Sequence, residues 1–284
     1  MFGARFQNPL LLAAGTAGFG RELSGAMDLH RLGGIVTKAV SLEPRGGNLP
    51  PRVAEFRGGM INSVGLANPG VRRVVEGILP WLARHLSRPQ VLVNVVGFRE
   101  SEYVEVIEQL DSAEGFLGYE LNLSCPNTSH GGVEFGADAG AITKVVGAVR
   151  KVTKRPLVVK LSPALPDIAG MAQVARDAGA DGIAVVNTMP GLVCQGPPGV
   201  PRLGNGNGGV SGPALLPVGL LAVRRVVDRL AGSLPVIGVG GIRVGKDVDD
   251  YLASGATLVA VGTAALADPR VPERIISYLE RRYG

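Results

Sequence analysis

Eight short apolar runs recur along the chain: Leu10–Ala14, Ile35–Ala39, Val91–Val96, Tyr119–Leu123, Leu157–Leu161, Gly182–Val186, Val236–Val239 and Thr257–Val261. Most are apolar at nearly every position, the pattern of strands covered on both faces. Segments with apolar residues at helical spacing lie between them: Glu22–Leu32, Gly70–Leu86, Ser101–Leu110, Asp138–Val152, Asp167–Ala178, Pro213–Leu230 and Val248–Ala253, with a last one at Val271–Tyr283. Strand then helix, eight times over, predicts an α/β fold, a (β/α)8 TIM barrel built as one domain over residues 1–284. Periodicity alone also fits an open doubly wound sheet; the lack of a long linker or composition break favours closure.

Local signals agree with these boundaries. Pro166-Asp167 opens a helix that stops at Ala178-Gly179, and Ser254-Gly255-Ala256 repeats the same ending before the last strand, with glycine where helices commonly end. Two connections are too long for turns. Ser41–Asn68 contains a possible hairpin at Val53–Ile61, and Thr188–Gly212 has almost no propensity for regular structure. Both follow strands, which places them at the carboxyl face of a barrel, and connections of this length usually cover a site or form an interface.

The strand ends are polar where a core would be apolar. Lys38, Asn94, Asn122, Lys160, Asn187 and Thr188 fall at corresponding positions of successive strands. One such residue reads as a satisfied core or rim group, whereas six on one face argue for a polar pocket. The stretch GYELNLSCPNTSHGG, Gly118–Gly132, is the extreme case: Glu120, Asn122 and Ser124 interrupt an apolar strand that runs into Cys125-Pro126-Asn127. Cys125 then sits where the chain leaves the sheet; a buried structural cysteine is its bland alternative. Late in the chain, Gly240-Gly241 and Gly262-Thr263 end the seventh and eighth strands, the positions at which many barrels hold a phosphate against backbone N–H groups.

Composition narrows the classes. The net charge of +5 is dispersed, without the basic arm or aromatic-interleaved patch of a nucleic-acid binder. Two distant cysteines, Cys125 and Cys194, make neither a disulfide framework nor a metal site, so a reducing, cytoplasmic setting is expected. His30, His85 and His130 lack metal-ligand spacing, and no metal is expected. The amino-terminal apolar run is too short for a signal peptide and no run reaches membrane-spanning length, so a soluble protein without a membrane partner is expected.

Taken in order, these motifs resemble class 1 dihydroorotate dehydrogenases, flavin enzymes of pyrimidine biosynthesis. The likeness runs through NPLLLAAGTAGFG (8–20), VTKAVSLEPRGGN (36–48), NSVGLANPG (62–70), ELNLSCPNTSHGG (120–132), VKLSP (159–163), GGVSGPA (208–214), IGVGGI and VGTA. It implies an FMN at the carboxyl face, bound by Ala14, Gly15, Lys38, Asn94, Asn122, Lys160, Val186, Gly212, Gly240, Gly241, Gly262 and Thr263. It implies dihydroorotate over the ring, contacted by Lys38, Asn62, Val64, Gly65, Leu66, Asn122, Asn127, Asn187 and Thr188. Cys125 is then the base that removes the C5 proton while flavin N5 accepts the C6 hydride, and Lys160 stabilises charge at the N1/O2 edge.

GTAGFGRE (15–22) and EPRGGNLPPRVAE (43–55) look most like the 1B catalytic subunit, which implies a homodimer joined to a partner carrying FAD and a [2Fe–2S] cluster in a heterotetramer. Two departures stand out: Ala14 where 1B relatives usually carry serine, and a divergent loop over 189–206. The readings left open are a related FMN barrel acting on another dihydropyrimidine, a flavin-free phosphate-binding barrel, and a non-catalytic barrel.

Overall fold

The computed structural model describes residues 1–123, 126–127 and 133–283, with side chains outside 124–134. Its strands are β1 (Leu10–Leu12), β2 (Gly34–Val36), β3 (Val53–Phe56), β4 (Gly59–Asn62), β5 (Gln90–Val95), β6 (Gly118–Asn122) and β7 (Pro126–Asn127). Then follow β8 (Val133–Glu134), β9 (Leu157–Leu161), β10 (Gly182–Val185), β11 (Met189–Gly191), β12 (Gly208–Ser211), β13 (Val236–Val239) and β14 (Leu258–Val261). Eight of them close into a parallel barrel in the order β1-β14-β13-β10-β9-β6-β5-β2, with β1 paired to both β14 and β2. Helices surround it, so the fold is the (β/α)8 barrel that the alternating runs predict.

The pleat explains why the runs are apolar throughout. Alternate residues, such as Leu10 and Leu12 on β1, Val91, Val93 and Val95 on β5, and Leu157, Val159 and Leu161 on β9, pack outward with the helices. Their neighbours Leu11, Leu92 and Val158 turn inward and meet Val36, Ala184, Ile237 and Leu258 in a separate apolar layer. Phe2 and Phe6, edge to face at 6.4 Å, pack against this layer. Gly182 leaves room for this packing, since a Cβ there would lie 2.8 Å from the Phe2 ring. The barrel is thus filled with side chains on its amino-terminal side and is no pore.

The helices are α1 (Val71–Arg73), running through a π-helical turn at Val74–Ile78 into α2 (Leu79–His85), then α3 (Glu100–Asp111), α4 (Ala139–Val152) and α5 (Ile168–Asp177). The last four are α6 (Leu216–Leu230), α7 (Gly245–Ala253), the short α8 (Thr263–Ala267) and α9 (Val271–Tyr283). Asp138 and Asp167 cap α4 and α5 by accepting from backbone N–H groups of the first turn.

The structure corrects several expected elements. No α-helix forms over Glu22–Leu32: the segment is a series of turns ending in a 3-10 turn at Leu29–Arg31. Just before it Gly18 and Gly20 hold positive φ, and the Glu22 carboxylate closes the turn on the Phe19 N–H at 2.9 Å, so the apolar spacing is satisfied without a helix. The first two strands stop at Leu12 and Val36, short of Ala14 and Ala39. Thr188–Gly212 also holds more structure than expected. Its ends form β11 and β12, and β12 pairs with β4 of the predicted hairpin, giving an antiparallel sheet in the order β11-β12-β4-β3. That pairing joins segments distant in the chain, so no local propensity announces it.

At the carboxyl end, α9 is tied to α7 through Asp249, which accepts from the Tyr278 hydroxyl at 2.6 Å and the Tyr283 hydroxyl at 2.9 Å and pairs with Arg282 at 3.0 Å. Burial alone would raise the Asp249 carboxyl, but the two tyrosine hydroxyls and the guanidinium outweigh it and hold it below the usual range. A folded-state value below the unfolded one stabilises at neutral pH, and the contribution disappears as pH falls through the folded value, below about pH 4. Thermal unfolding from pH 7 to 3 is therefore expected to show an acid-labile component that Asp249→Asn removes; equal pH slopes for both proteins would refute it.

Candidate active site

Above the apolar layer the inward positions turn polar. Asn94 has the parity of Leu92 on β5, Lys160 has that of Val158 on β9, and Glu120 lies between the outward Tyr119 and Leu121 on β6. All three are buried, with exposures of 0, 5 and 1 %. A layer of this kind is stable only if its groups satisfy one another or a ligand. Asn94 donates its amide to Glu120 Oε1 at 2.7 Å, and Lys160 Nζ lies 3.5 Å from the same oxygen. The other Asn94 atom, Oδ1, is the one buried side-chain polar atom without a partner among the described residues.

Asn94 and Lys160 form part of the wall of a cavity of about 1290 Å3 at the carboxyl ends of the strands. Ligand pockets usually measure about 300–1,000 Å3, so this one is larger than the common range. The sheet of β3, β4, β11 and β12 contributes to its wall through Phe56, Asn62, Pro190 and Ser211. The long connections after the second and sixth strands therefore do cover a site.

One end of the cavity is made of backbone. Gly240 and Gly241 have φ of +123° and +74°, and Gly212 has +97°. Tyr251, fully buried, donates its hydroxyl to the Gly240 carbonyl at 2.8 Å, and Thr263 Oγ1 donates to Ser211 Oγ at 2.8 Å. Burial pushes the Tyr251 phenol up, with Asp247 adding to it, so the hydroxyl stays a donor. Ala14, Gly15, Val186 and Gly262 complete this side.

The other end mixes side chains and loop backbone. Lys38 is half-buried on the wall, and its ammonium has no ion-pair or hydrogen-bond partner among the described residues. Asn187 donates to Asn122 Oδ1 at 3.2 Å and accepts from the Thr188 N–H at 2.8 Å, which fixes both amides. Asn62 comes from β4, and Val64, Gly65 and Leu66 from the loop after it. Leu66 has φ of +58° while packing on Ala39 and Val96. A non-glycine residue in that region carries strain, which is commonest at ligand sites.

Every residue that the sequence suggests for the pocket and whose side chain is described lines this cavity. Cys125 lies outside the described residues, as do His130 and the Asn127 side chain, whose backbone is in β7. The sequence missed Thr16, Phe56, Arg57, Ser211 and Arg243 on the wall. Ser211 lies within the GGVSGPA motif, but its place on the wall comes from the pairing of β12 with β4 and from its bond to Thr263, a contact across 52 residues. His30 and His85 are elsewhere: His85 stacks on Trp81 at 4.5 Å, and no cluster fit for a metal ion occurs among the described residues.

Comparison with known proteins decides the family, because the sequence model for "Dihydroorotate dehydrogenase" matches residues 1–283. The chain belongs to the dihydroorotate dehydrogenase family. It is 47% identical over 277 residues to a putative dihydroorotate dehydrogenase A (fumarate) of Solibacter usitatus, covering 98% of this chain and 90% of that one. It is 44% identical over 277 residues to the catalytic subunit of dihydroorotate dehydrogenase B (NAD(+)) of Bacillus pumilus, covering 98% and 88%. The corresponding subunit of Citrifermentans bemidjiense is 42% identical over 279 residues, covering 98% and 90%. These dihydroorotate dehydrogenases divide between two electron acceptors, and family membership makes this chain an oxidoreductase. No helix among the described residues is long and apolar enough to cross a membrane.

Proposed function

We propose that the protein is an FMN-dependent dihydroorotate dehydrogenase that oxidises dihydroorotate to orotate in pyrimidine biosynthesis. The observation that carries this is the buried polar layer, with its unpartnered acceptor at Asn94 and an ammonium at Lys160, beneath a cavity with a glycine backbone at one end. Asn94, Asn122 and Lys160 match the mixed donor and acceptor edges of an isoalloxazine ring. The open backbone of Gly240, Gly241, Gly262 and Thr263 suits a phosphate. When bound there, FMN supplies a hydride acceptor.

This chain's residues do the rest. The Lys38 ammonium, without a partner among the described residues, receives an anionic substrate, and the Asn62, Asn122 and Asn187 amides orient a ring carrying both N–H and C=O groups. The sheet above the site restricts water. Cys125, three residues past the end of β6 in the chain, takes the C5 proton as thiolate. Cys125→Ser is expected to slow anaerobic flavin reduction by dihydroorotate roughly 100-fold while FMN stays bound; unchanged rates across pH would refute the base.

GTAGFGRE and EPRGGNLPPRVAE support the 1B form, a cytoplasmic homodimer assembled with a subunit that holds FAD and a [2Fe–2S] cluster. Exposed Leu49, Leu192 and Val200, beside or between the added strands, offer apolar contact for an assembly. The deciding experiment mixes purified, FMN-loaded protein anaerobically with dihydroorotate and separately with dihydrouracil. Bleaching by dihydroorotate alone is the expected result. A protein that takes up no FMN, or is reduced only by dihydrouracil, overturns the reading.

A further inference from the structure

We infer that Glu120 is a positioning residue: its carboxylate fixes the Asn94 amide so that an acceptor faces the ligand, and offsets the Lys160 charge beneath the flavin. The inference rests on the FMN reading and deepens it. Glu120 is not on the cavity wall; it sits behind Asn94 and Lys160, on the strand between theirs.

The donor–acceptor arithmetic leaves one arrangement. A carboxylate has only acceptor atoms, so the Asn94 atom 2.7 Å from Glu120 Oε1 has to be the NH2 nitrogen. The amide is planar, so its oxygen then points away from Glu120, and that oxygen is the buried atom lacking a partner among the described residues. A ligand completing the layer must therefore bring a donor to Asn94. Lys160, only loosely paired at 3.5 Å, keeps ammonium hydrogens for a ligand acceptor. A donor beside an acceptor is what the imide edge of a flavin presents. Without the carboxylate, the amide is free to turn over and offer the wrong group.

Charge gives the second consequence. Glu120 and Lys160 sum to zero, with both within a layer shielded from water, where Coulomb terms are large. Removing the carboxylate charge leaves an uncompensated ammonium next to the ring and favours the electron-rich reduced flavin over the oxidised one. Glu120→Gln is of equal size and still offers an acceptor to Asn94. Lys160 is on the cavity wall with a flexible stem, so its orphaned ammonium faces the bound ligand and not the packed core, which keeps the variant folded.

The test is the two-electron potential of bound FMN together with its dissociation constant, in wild type, Glu120→Gln and Glu120→Asp. Glu120→Gln is expected to bind reduced FMN about tenfold more tightly relative to oxidised FMN, a shift of about +30 mV for a two-electron couple. Glu120→Asp keeps the charge and loses the reach. It is expected to hold a potential close to wild type and to bind oxidised FMN about tenfold more weakly, as one charge-assisted hydrogen bond is lost. A merely structural Glu120 would lower thermal stability in both variants and leave both potentials alone. Unshifted potential in Glu120→Gln overturns the inference; should that variant not fold, wild-type affinity in Glu120→Asp overturns it instead. A wild-type protein that binds no FMN is a separate result, one that removes the functional reading and this inference with it.

Discussion

Lys160→Ala is expected to lower folding stability by about 3–5 kcal/mol, the usual result of taking one partner from a buried ion pair. The asymmetry between the two partners makes this prediction sharper than a general statement about salt bridges. Glu120 is 1 % exposed and lies behind the wall, on a short side chain flanked by β5 and β9. It has no route to water once the ammonium is gone, and Asn94 supplies only one neutral donor. Pairing Lys160→Met with Glu120→Gln removes both charges and keeps volume, so the double variant is expected to recover most of the loss. Chemical unfolding of Lys160→Met, Glu120→Gln and the double variant measures the coupling directly. A Lys160→Ala protein as stable as wild type would show that the carboxylate is already compensated, and the account of the polar layer would be wrong. The same variant is expected to retain FMN poorly, which flavin content after gel filtration reports.

That layer was largely legible in the sequence, because polar residues inside near-continuous apolar strands are costly and therefore conspicuous. Asn94 and Lys160 stood out for this reason, and so did the inward parity they share once Leu92 and Val158 are seen to point into the barrel. Glu120 stands out too, but which atoms it faces is set by the neighbouring strands and is not contained in its own strand's pattern. The hairpin at Val53–Ile61 was legible from local composition, and is observed as β3 and β4. What failed was of two kinds. The segment Glu22–Leu32 has helical spacing, but it follows Gly18 and Gly20 at positive φ, and the Glu22 carboxylate accepting from the Phe19 N–H settles its start as turns. The strands β11 and β12 exist because β4 is already there to pair with, a tertiary condition that a window along the chain does not contain.

Gly241→Ala is expected to reduce FMN affinity about 100-fold and stability by about 3–4 kcal/mol, from two effects of different origin. The first is conformational: Gly241 has φ of +74°, where an L side chain crowds its own backbone, worth about 1–2 kcal/mol. The second is contact. A Cβ at 241 would lie 2.4 Å from the Leu216 backbone nitrogen and 2.6 Å from its Cα, so neither a rotamer change nor a small side-chain shift relieves it. Leu216 opens α6, and the turn just before it, Gly212 to Leu215, is itself part of the cavity wall. Moving the helix start therefore displaces the backbone proposed to hold the phosphate, which is why binding suffers along with stability. Gly232→Ala separates the two effects: it has nearly the same φ, +76°, but no atom within 4 Å of the added Cβ, and lies outside the cavity. That variant is expected to lose about 1 kcal/mol and to bind FMN as wild type does. If Gly241→Ala behaves like Gly232→Ala in both measurements, the glycine end of the cavity is not where the phosphate sits.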